Sequence, residues 1–420
     1  LINERGVFVR KNIKKLICFA CILSLCGIMG VKYFSNPQEP VTLETVSASL
    51  EDQGAPSEEQ KNANLKLNVK AAVLIDADTG KVLFEQDAHK ELPPASVAKV
   101  MTMLLALEAV EDGKVKLSDK VTVSERAASM GGSQMYMEIG EVHTLEEMLE
   151  GIAIVSANDA CVAVSEYIAG SEEVFVEKMN QRAKELGMRD THFVNTNGLP
   201  VAEHYTSAYD IGLMSRLLLK HEHTQKWFNT WQTTIKVGLP GKEKDFGLTN
   251  TNKLIKQYPG ANGIKTGFTQ DAGFCLSASA TKEDTTLIAV VLGAQTSKIR
   301  FEEVSKLLNY GFANYSSVTL ADQGQKIKKV TLDKGEPYTI NAVAKEKATA
   351  FVKKGEEKKA KFKASIDKNI KLPLKKGAKV GTLNVYCGKE KVGSCELVSD
   401  RKVEKVSFVT YYIRKIKNLF

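Results

Sequence analysis

The spacing of apolar and polar residues changes character several times along the chain. Val69–Asp76 is a short apolar run, Asp78-Thr79-Gly80-Lys81 supplies a turn, and Val82–Glu85 returns, which predicts a hairpin. Apolar positions at helical spacing predict helices over 96–111, 144–168 and 172–186. The stretch 262–294 is strand-rich, with GFCLSASA and TTLIAVVLGA as adjacent strands, and a further helix is expected over 297–314. Beyond Ser316 come short alternating segments (KIKKVTL, YTINAV, AKFKASI, KVGTLNVY, SCELVS) separated by Gly, Asp and Lys. They predict a small all-β domain over 317–400 with a Lys-rich, solvated surface.

The two ends carry a different pattern. Leu16 to Val31 is an uncharged run of 16 residues, preceded by Arg10, Lys11, Lys14 and Lys15. A basic stretch followed by an apolar one is the form of an export signal, so residues 1–34 are expected to direct secretion, whether cleaved or kept as an anchor. Residues 35–66 are polar, with no helical or strand period, and read as a flexible spacer. At the other end, Val406, Val409, Ile413, Ile416 and Phe420 recur at spacings of three and four, with Tyr412 and Leu419 alongside. Arg414, Lys415, Lys417 and Asn418 occupy the remaining arc. Residues 401–420 are therefore expected to end in an amphipathic helix, roughly 22 Å long and too short to cross a bilayer. Lying in the membrane interface is the functional reading, and packing on the protein's own surface is the alternative.

Composition narrows the choice. The 420 residues are 43% hydrophobic and 26% charged, ordinary globular values that argue against bulk disorder. The net charge of +8 divides as +5 over 1–34, −2 over 35–400 and +5 over 401–420. The body is near neutral, which argues against a nucleic-acid-binding domain. Of seven cysteines, Cys18, Cys21 and Cys26 lie in the N-terminal apolar run, while Cys161 and Cys275 read as small core residues. Cys387 and Cys395 flank GKEKVGS in a predicted hairpin and are placed to pair after export. No spacing suggests a metal site, and His221 and His223 read as solvated. No phosphate loop or dinucleotide fingerprint points to a cofactor.

The candidate chemistry lies in three short strings. Pro93-Pro94-Ala95 leads into Ser96-Val97-Ala98-Lys99 at the start of an apolar helix. Three residues apart, Ser96 and Lys99 share one face of the first turn. A hydroxyl nucleophile needs a nearby base, and a lysine can serve once burial or a second cation has lowered its affinity for the proton. Sixty residues later comes Ser156-Ala157-Asn158, and 109 residues beyond Ser156 comes Lys265-Thr266-Gly267, followed by Phe268. A strand with Lys and Thr could bind a carboxylate along its edge, and the Gly leaves room for a ligand backbone.

In this order and at this spacing, S-x-x-K, S-x-N and K-T-G resemble the signature of the penicilloyl-serine enzymes. The flanking strings SANDACVAV, LGMRDTHFVNTNGL, GANGIKTGFT and KIRFEEVSKLLNYGF resemble the D-alanyl-D-alanine carboxypeptidases, the low-molecular-mass penicillin-binding proteins. The resemblance implies an α/β (α+β) domain of the β-lactamase/transpeptidase type over 67–316, an antiparallel sheet flanked by helices, followed by the small β-domain and the terminal helix. It implies removal of the terminal D-alanine from peptidoglycan pentapeptide stems through an acyl-enzyme, and acylation by β-lactams, at the outer face of the cytoplasmic membrane. Ser96 would be the nucleophile and Lys99 its base. Ser156 would relay a proton toward the leaving amine, and Asn158 would hold the substrate amide and orient Lys99. Lys265 would raise the positive potential and help keep Lys99 neutral, and Thr266 and Gly267 would line the substrate. The N–H groups of Ser96 and Phe268 would form the oxyanion hole, and Arg300 would help bind the terminal carboxylate. Many relatives have His where Phe268 stands, so only a backbone role carries over there. A serine β-lactamase shares the triplet, but class A enzymes add a Glu-x-x-Leu-Asn string that is absent between Asn158 and Lys265. A non-catalytic penicillin-binding surface protein is the other alternative, against which the intact triplet argues.

Overall fold

A computed structural model describes residues 65–417. The expected export segment 1–34, nearly all of the spacer and the last three residues lie outside them. The fold begins with the predicted hairpin, β1 (Ala71–Asp76) and β2 (Val82–Gln86). Ser96 lies in a 3-10 turn (Ala95–Ala98) that leads into α1 (Lys99–Glu111). Next come α2 (Leu145–Ile154), α3 (Asn158–Ala169), α4 (Glu172–Glu185), α5 (Ala208–Leu218) and α6 (Glu222–Asn229). A hairpin, β3 (Gln232–Val237) and β4 (Lys244–Thr249), precedes β5 (Ala261–Thr269), β6 (Gly273–Lys282), β7 (Thr285–Ala294) and α7 (Ser297–Asn314).

Strands β2-β1-β7-β6-β5 form one antiparallel sheet in that order. Its central strands are apolar almost throughout because both faces are covered. Val73, Ile75, Val290 and Leu292 point into a core shared with α1, α2, α3 and α5. Leu74, Leu287, Ala289 and Val291 point the other way, onto Val304, Leu307 and Leu308 of α7. α1 is buried nearly all round, so the short strand of helix carrying Lys99 runs through the middle of the domain.

The helical pattern over 144–168 is two helices rather than one. Thr144 starts α2 with a reciprocal capping box to Glu147. The chain then breaks at Val155–Ala157, where Ser156 has φ +68°, a left-handed conformation that costs about 1–3 kcal/mol outside glycine. The apolar period runs through the break because Ile154 and Ala157 both stay buried. α5 and α6 were not predicted. Ser207 caps α5, its hydroxyl accepting the Asp210 N–H at 3.1 Å.

The β-rich part comprises β8 (Tyr315–Ala321), β9 (Lys326–Thr331), β10 (Thr339–Ala344), β11 (Ala348–Lys353), β12 (Ala360–Ile366), β13 (Lys379–Cys387) and β14 (Glu390–Ser399). Strands β9-β10-β14-β13-β12 make a five-stranded sheet, and β8 pairs with β11. Their core holds Ile340, Val380, Leu383 and Leu397. Phe351 of β11 instead joins the core under α7. The expected pairing of Cys387 with Cys395 does not occur: both are free. In register Cys387 faces Glu390 and Cys395 faces Leu383, so the two lie four residues apart along β13. His221 is not solvated as expected but buried, with Nδ1 2.7 Å from Glu111 Oε1.

The terminal helix α8 (Phe408–Lys417) is present. Among the described residues no helix is long and apolar enough to cross a membrane. Arg414 donates to the Gly335 carbonyl at 2.7 Å and pairs with the Glu336 carboxylate, so the cationic side of α8 faces the β-rich part. Phe408 and Val409 remain 75% and 66% exposed, with Tyr412 and Ile413 half-exposed.

Candidate active site

Ser96 enters its turn from Ala95, which has φ +48°. Two glycines make room for that turn. A Cβ on Gly198, itself at φ +85°, would lie 1.8 Å from the Ala95 carbonyl oxygen. A Cβ on Gly267 would lie 3.1 Å from the Ser96 amide nitrogen. The K-T-G strand thus lies directly against the backbone of Ser96. β5 is the last strand of the sheet, so its outer edge is available to an extended peptide.

Lys99 is completely buried. Its Nζ lies 2.9 Å from Ser96 Oγ and 2.5 Å from the Asn197 carbonyl oxygen. Burial pushes its pKa down to about 8. Lys265 is also buried, with Nζ 3.1 Å from the Thr266 carbonyl oxygen. Burial first, and the charge of Lys99 second, bring Lys265 well below the ordinary lysine range. Burial thus favours the neutral form of Lys99, which puts a lone pair beside the Ser96 hydroxyl.

The S-x-N pair reaches the site from the break between α2 and α3. Asn158 Nδ2 donates to the Gly131 carbonyl at 2.6 Å. Asn158 Oδ1 and Ser156 Oγ are both buried and have no partner among the described residues. Unpartnered buried oxygens are costly and fit groups that await a ligand. On β5 the Thr266 hydroxyl donates to Thr251 Oγ1 at 2.7 Å. Phe268 is 53% exposed, its ring stacked on Phe274 at 4.3 Å. Arg300, expected to help bind the terminal carboxylate, is buried against the strand. Its guanidinium donates to the carbonyls of Gly267 and Cys275, each at 3.2 Å, and to Ser297 Oγ at 3.1 Å.

The structure therefore brings Ser96, Lys99, Lys265, Thr266 and Gly267 to one place, with Arg300 behind the strand; Ser156 and Asn158 lie on the segment whose Asp159 acts on Lys99, but it is the Asn197 carbonyl and not Asn158 that holds the Lys99 amine. Several contributors were not singled out from the sequence. Asn197 and Gly198 sit in the string FVNTNGL, whose two asparagines and glycine mark a tight turn but give no sign of what it touches. Asp159 is buried and accepts the Met135 N–H at 3.0 Å and the Ala160 N–H at 2.9 Å. It fastens the segment that carries Gly131, the partner of Asn158. Its place directly after S-x-N is the only sequence signal.

Comparison with known proteins agrees with this geometry. Residues 57–296 match the family model for D-alanyl-D-alanine carboxypeptidase, and residues 315–405 match that for the C-terminal domain of penicillin-binding protein 5. The chain is 44% identical to D-alanyl-D-alanine carboxypeptidase DacF of Bacillus subtilis, over 86% of this chain and 92% of that one. It is 33% identical to D-alanyl-D-alanine carboxypeptidase DacC of Escherichia coli, over 81% and 86% of the two chains. Among solved structures, penicillin-binding protein 5 from Haemophilus influenzae superposes with a TM-score of 0.64 at 28% identity, covering 84% of this chain and all of that one. The three strings converge on one buried site, and both halves of the chain match the same kind of protein; the chain belongs to the D-alanyl-D-alanine carboxypeptidase family, the low-molecular-mass penicillin-binding proteins.

Proposed function

We propose that the protein is a serine-type D-Ala-D-Ala carboxypeptidase that removes the terminal D-alanine from peptidoglycan pentapeptide stems. The observation that carries this reading is the fully buried Lys99 amine 2.9 Å from the Ser96 hydroxyl. Lys99 takes the hydroxyl proton as Ser96 Oγ attacks the carbonyl carbon of the penultimate D-alanine. The N–H groups of Ser96 and Phe268 receive the oxyanion. Ser156 passes a proton to the amine as the C–N bond breaks and free D-alanine leaves. Water then cleaves the Ser96 ester and restores the hydroxyl. Asn158 holds the substrate amide, and Lys265 and Thr266 draw the terminal carboxylate toward β5. Arg300 acts as a positioning residue, bracing Gly267 from behind, and adds its positive charge to the field around Lys265. A β-lactam, presenting a strained amide in place of the D-Ala-D-Ala bond, acylates the same oxygen.

We further propose that residues 1–34 direct export and residues 35–66 act as a spacer. In this reading 67–316 carry the reaction, and 317–400 with the helix of 401–420 hold the protein against the outer face of the cytoplasmic membrane. The exposed apolar side of α8 supports the last point. The test is direct. Labelled penicillin should attach to the wild type and not to Ser96→Ala, and the wild type should release D-alanine from an acetylated pentapeptide. Label retained on Ser96→Ala overturns the nucleophile. Rapid penicillin hydrolysis without release of D-alanine overturns the carboxypeptidase in favour of a β-lactamase.

A further inference from the structure

Between Val100 and Leu107, α1 carries a single polar side chain, Thr102, and it is fully buried. A threonine inside a helix commonly returns its hydroxyl to a carbonyl of the preceding turn. Thr102 Oγ1 instead donates to the Thr196 carbonyl at 2.6 Å, 94 residues along the chain. Three positions apart in α1, Lys99 and Thr102 share one face of the helix. Lys99 Nζ lies 2.5 Å from the Asn197 carbonyl oxygen. Two side chains one helical turn apart thus hold two successive carbonyls of the same chain turn.

That turn is also held from its other side. Thr196 Oγ1 donates to Glu172 Oε1 at 3.0 Å, and Glu172 in turn pairs with Arg126 at 3.0 Å. Asn195 Oδ1 accepts the N–H groups of Gly198 at 2.8 Å and of Asn197 at 3.3 Å. Thr196 is fully buried and Asn197 only 2% exposed, so a carbonyl that loses its donor there goes unpaired. Asn158 does not share the task, since its Nδ2 is engaged by the Gly131 carbonyl and its Oδ1 has no partner among the described residues.

We propose that Thr102 is a positioning residue for the reaction: it fixes the turn whose next carbonyl, that of Asn197, aims the Lys99 amine at Ser96 Oγ. The inference rests on Lys99 acting as the base. A carbonyl accepts a hydrogen bond from the ammonium and from the neutral amine alike, and does not compete for the proton. It keeps one N–H of Lys99 turned away from Ser96 in both states, which leaves the lone pair of the amine for the Ser96 hydroxyl. The bond is stronger to the ammonium, because a charged donor binds a carbonyl more tightly. Loosening the turn therefore spoils the aim of the base and also lets Lys99 give up its proton more readily.

Timed labelling of the full chain by penicillin, at pH 6 and pH 9, tests this in two variants. Thr102→Val keeps the shape and removes the donor, whereas Thr102→Ser keeps the donor. Misplacing a reacting group by 1 Å can cost about 100-fold; with Glu172 and Asn195 still holding the turn, Thr102→Val should slow labelling about tenfold at pH 9. Its pH limb should lie about half a unit lower, so the deficit should shrink to about threefold at pH 6. Thr102→Ser should stay within about threefold of the wild type at both. The other titratable groups around the amine, Asp159 and Cys161 of α3, Lys265 of β5 and His204, are the same in all three proteins. A rate constant taken on the fraction that labels does not depend on how much protein is folded. Should Thr102→Val not fold, Thr102→Ala, smaller and also without a donor, takes its place. Labelling of the donor-free variant as fast as the wild type, a deficit equal at the two pH values, or one that Thr102→Ser shares overturns the positioning role and leaves Lys99 as the base. Labelling of Lys99→Ala as fast as the wild type overturns the base itself, and this inference with it.

Discussion

Residues 67–316 carry 25 basic and 32 acidic side chains, a net of −7, whereas residues 317–400 carry 19 and 10, a net of +9. The cations with chemical work to do are nevertheless in the acidic region. Lys99, Lys265 and Arg300 are at most 6% exposed, and each has a pKa lowered chiefly by burial. In the basic region Lys326, Lys328, Lys329, Lys361 and Lys363 are all exposed on strands. A lysine in water keeps its proton and acts only through a screened field. A lysine out of water has its proton affinity set by its neighbours, and so becomes a base. The difference between the regions is one of solvation, and net charge points the wrong way.

Removing single lysines is the strongest way to break this contrast. Lys99→Ala is expected to slow acylation by penicillin by ~10²–10⁴-fold, the usual cost of losing a general base. Lys363→Ala on β12 should leave the rate unchanged. Timed labelling of the two variants checks both. A comparable loss in Lys363→Ala would show that the basic region enters the reaction, and a fast Lys99→Ala would remove the lysine from the role of base.

The pH dependence sharpens the same point. Lys99 must be neutral to accept the proton, and burial has placed its pKa at about 8. The reactive fraction is therefore full above that pH and falls about tenfold for each unit below it, so acylation at pH 6 should be roughly 100-fold slower than the plateau. Burial lowers Lys99, whereas Lys265 is lowered by burial and then by the charge of Lys99, so Lys265 gives up its proton first and Lys265→Gln should leave the limb near pH 8. A wild-type limb near 10.4, the value of a free lysine, would mean that burial does not tune the base.

These contrasts also mark what was legible in the chain. Ser96-x-x-Lys99, Ser156-x-Asn158 and Lys265-Thr266-Gly267 are local strings, and their order is enough to suggest the chemistry. The partners that complete the site come from elsewhere in the chain. Asn197 lies 98 residues from Lys99, and no spacing rule connects a turn carbonyl to an amine at that distance. The break at Ser156 was hidden because one apolar face runs across both α2 and α3. The string around Arg300 suggests a role toward the terminal carboxylate but not that its guanidinium donates to the carbonyls of Gly267 and Cys275. For the sheet, the near-continuous apolar runs of β1 and β7 were readable because burial on both faces leaves little room for polar residues. The pairing of Cys387 and Cys395 fails because the hairpin turns at Gly388-Lys389, directly after Cys387, and not midway between the two cysteines.

Membrane association tests whether the terminal helix that follows the basic region works through its surface. The apolar side of α8 is expected to enter the interface of anionic vesicles, assisted by the surrounding cations. Ile413 is half-exposed on that side, and loss of its burial, at most ~1.5–3 kcal/mol, together with a new negative charge should weaken binding by about tenfold or more in Ile413→Asp. Co-sedimentation with vesicles containing phosphatidylglycerol measures it. Binding that is insensitive to both Ile413→Asp and added salt would leave the helix with no membrane role.

The smallest effect is expected at Arg414, on the opposite side of the same helix. Its guanidinium meets the Gly335 carbonyl and the Glu336 carboxylate, but Glu336 is 61% exposed. A pair so open to water contributes roughly 0.2–1 kcal/mol, because solvation of the separated charges nearly matches their attraction. Arg414→Ala should therefore lower vesicle binding only about two- to fivefold, well short of the loss in Ile413→Asp. The ordering follows from which face does what: apolar contact with lipid supplies the affinity, while Arg414 sets how α8 is presented by the β-rich part. If Arg414→Ala detached the protein as fully as Ile413→Asp, presentation would outweigh insertion. One charge of the terminal helix would then matter through a specific partner, as Lys99 does in the acidic region.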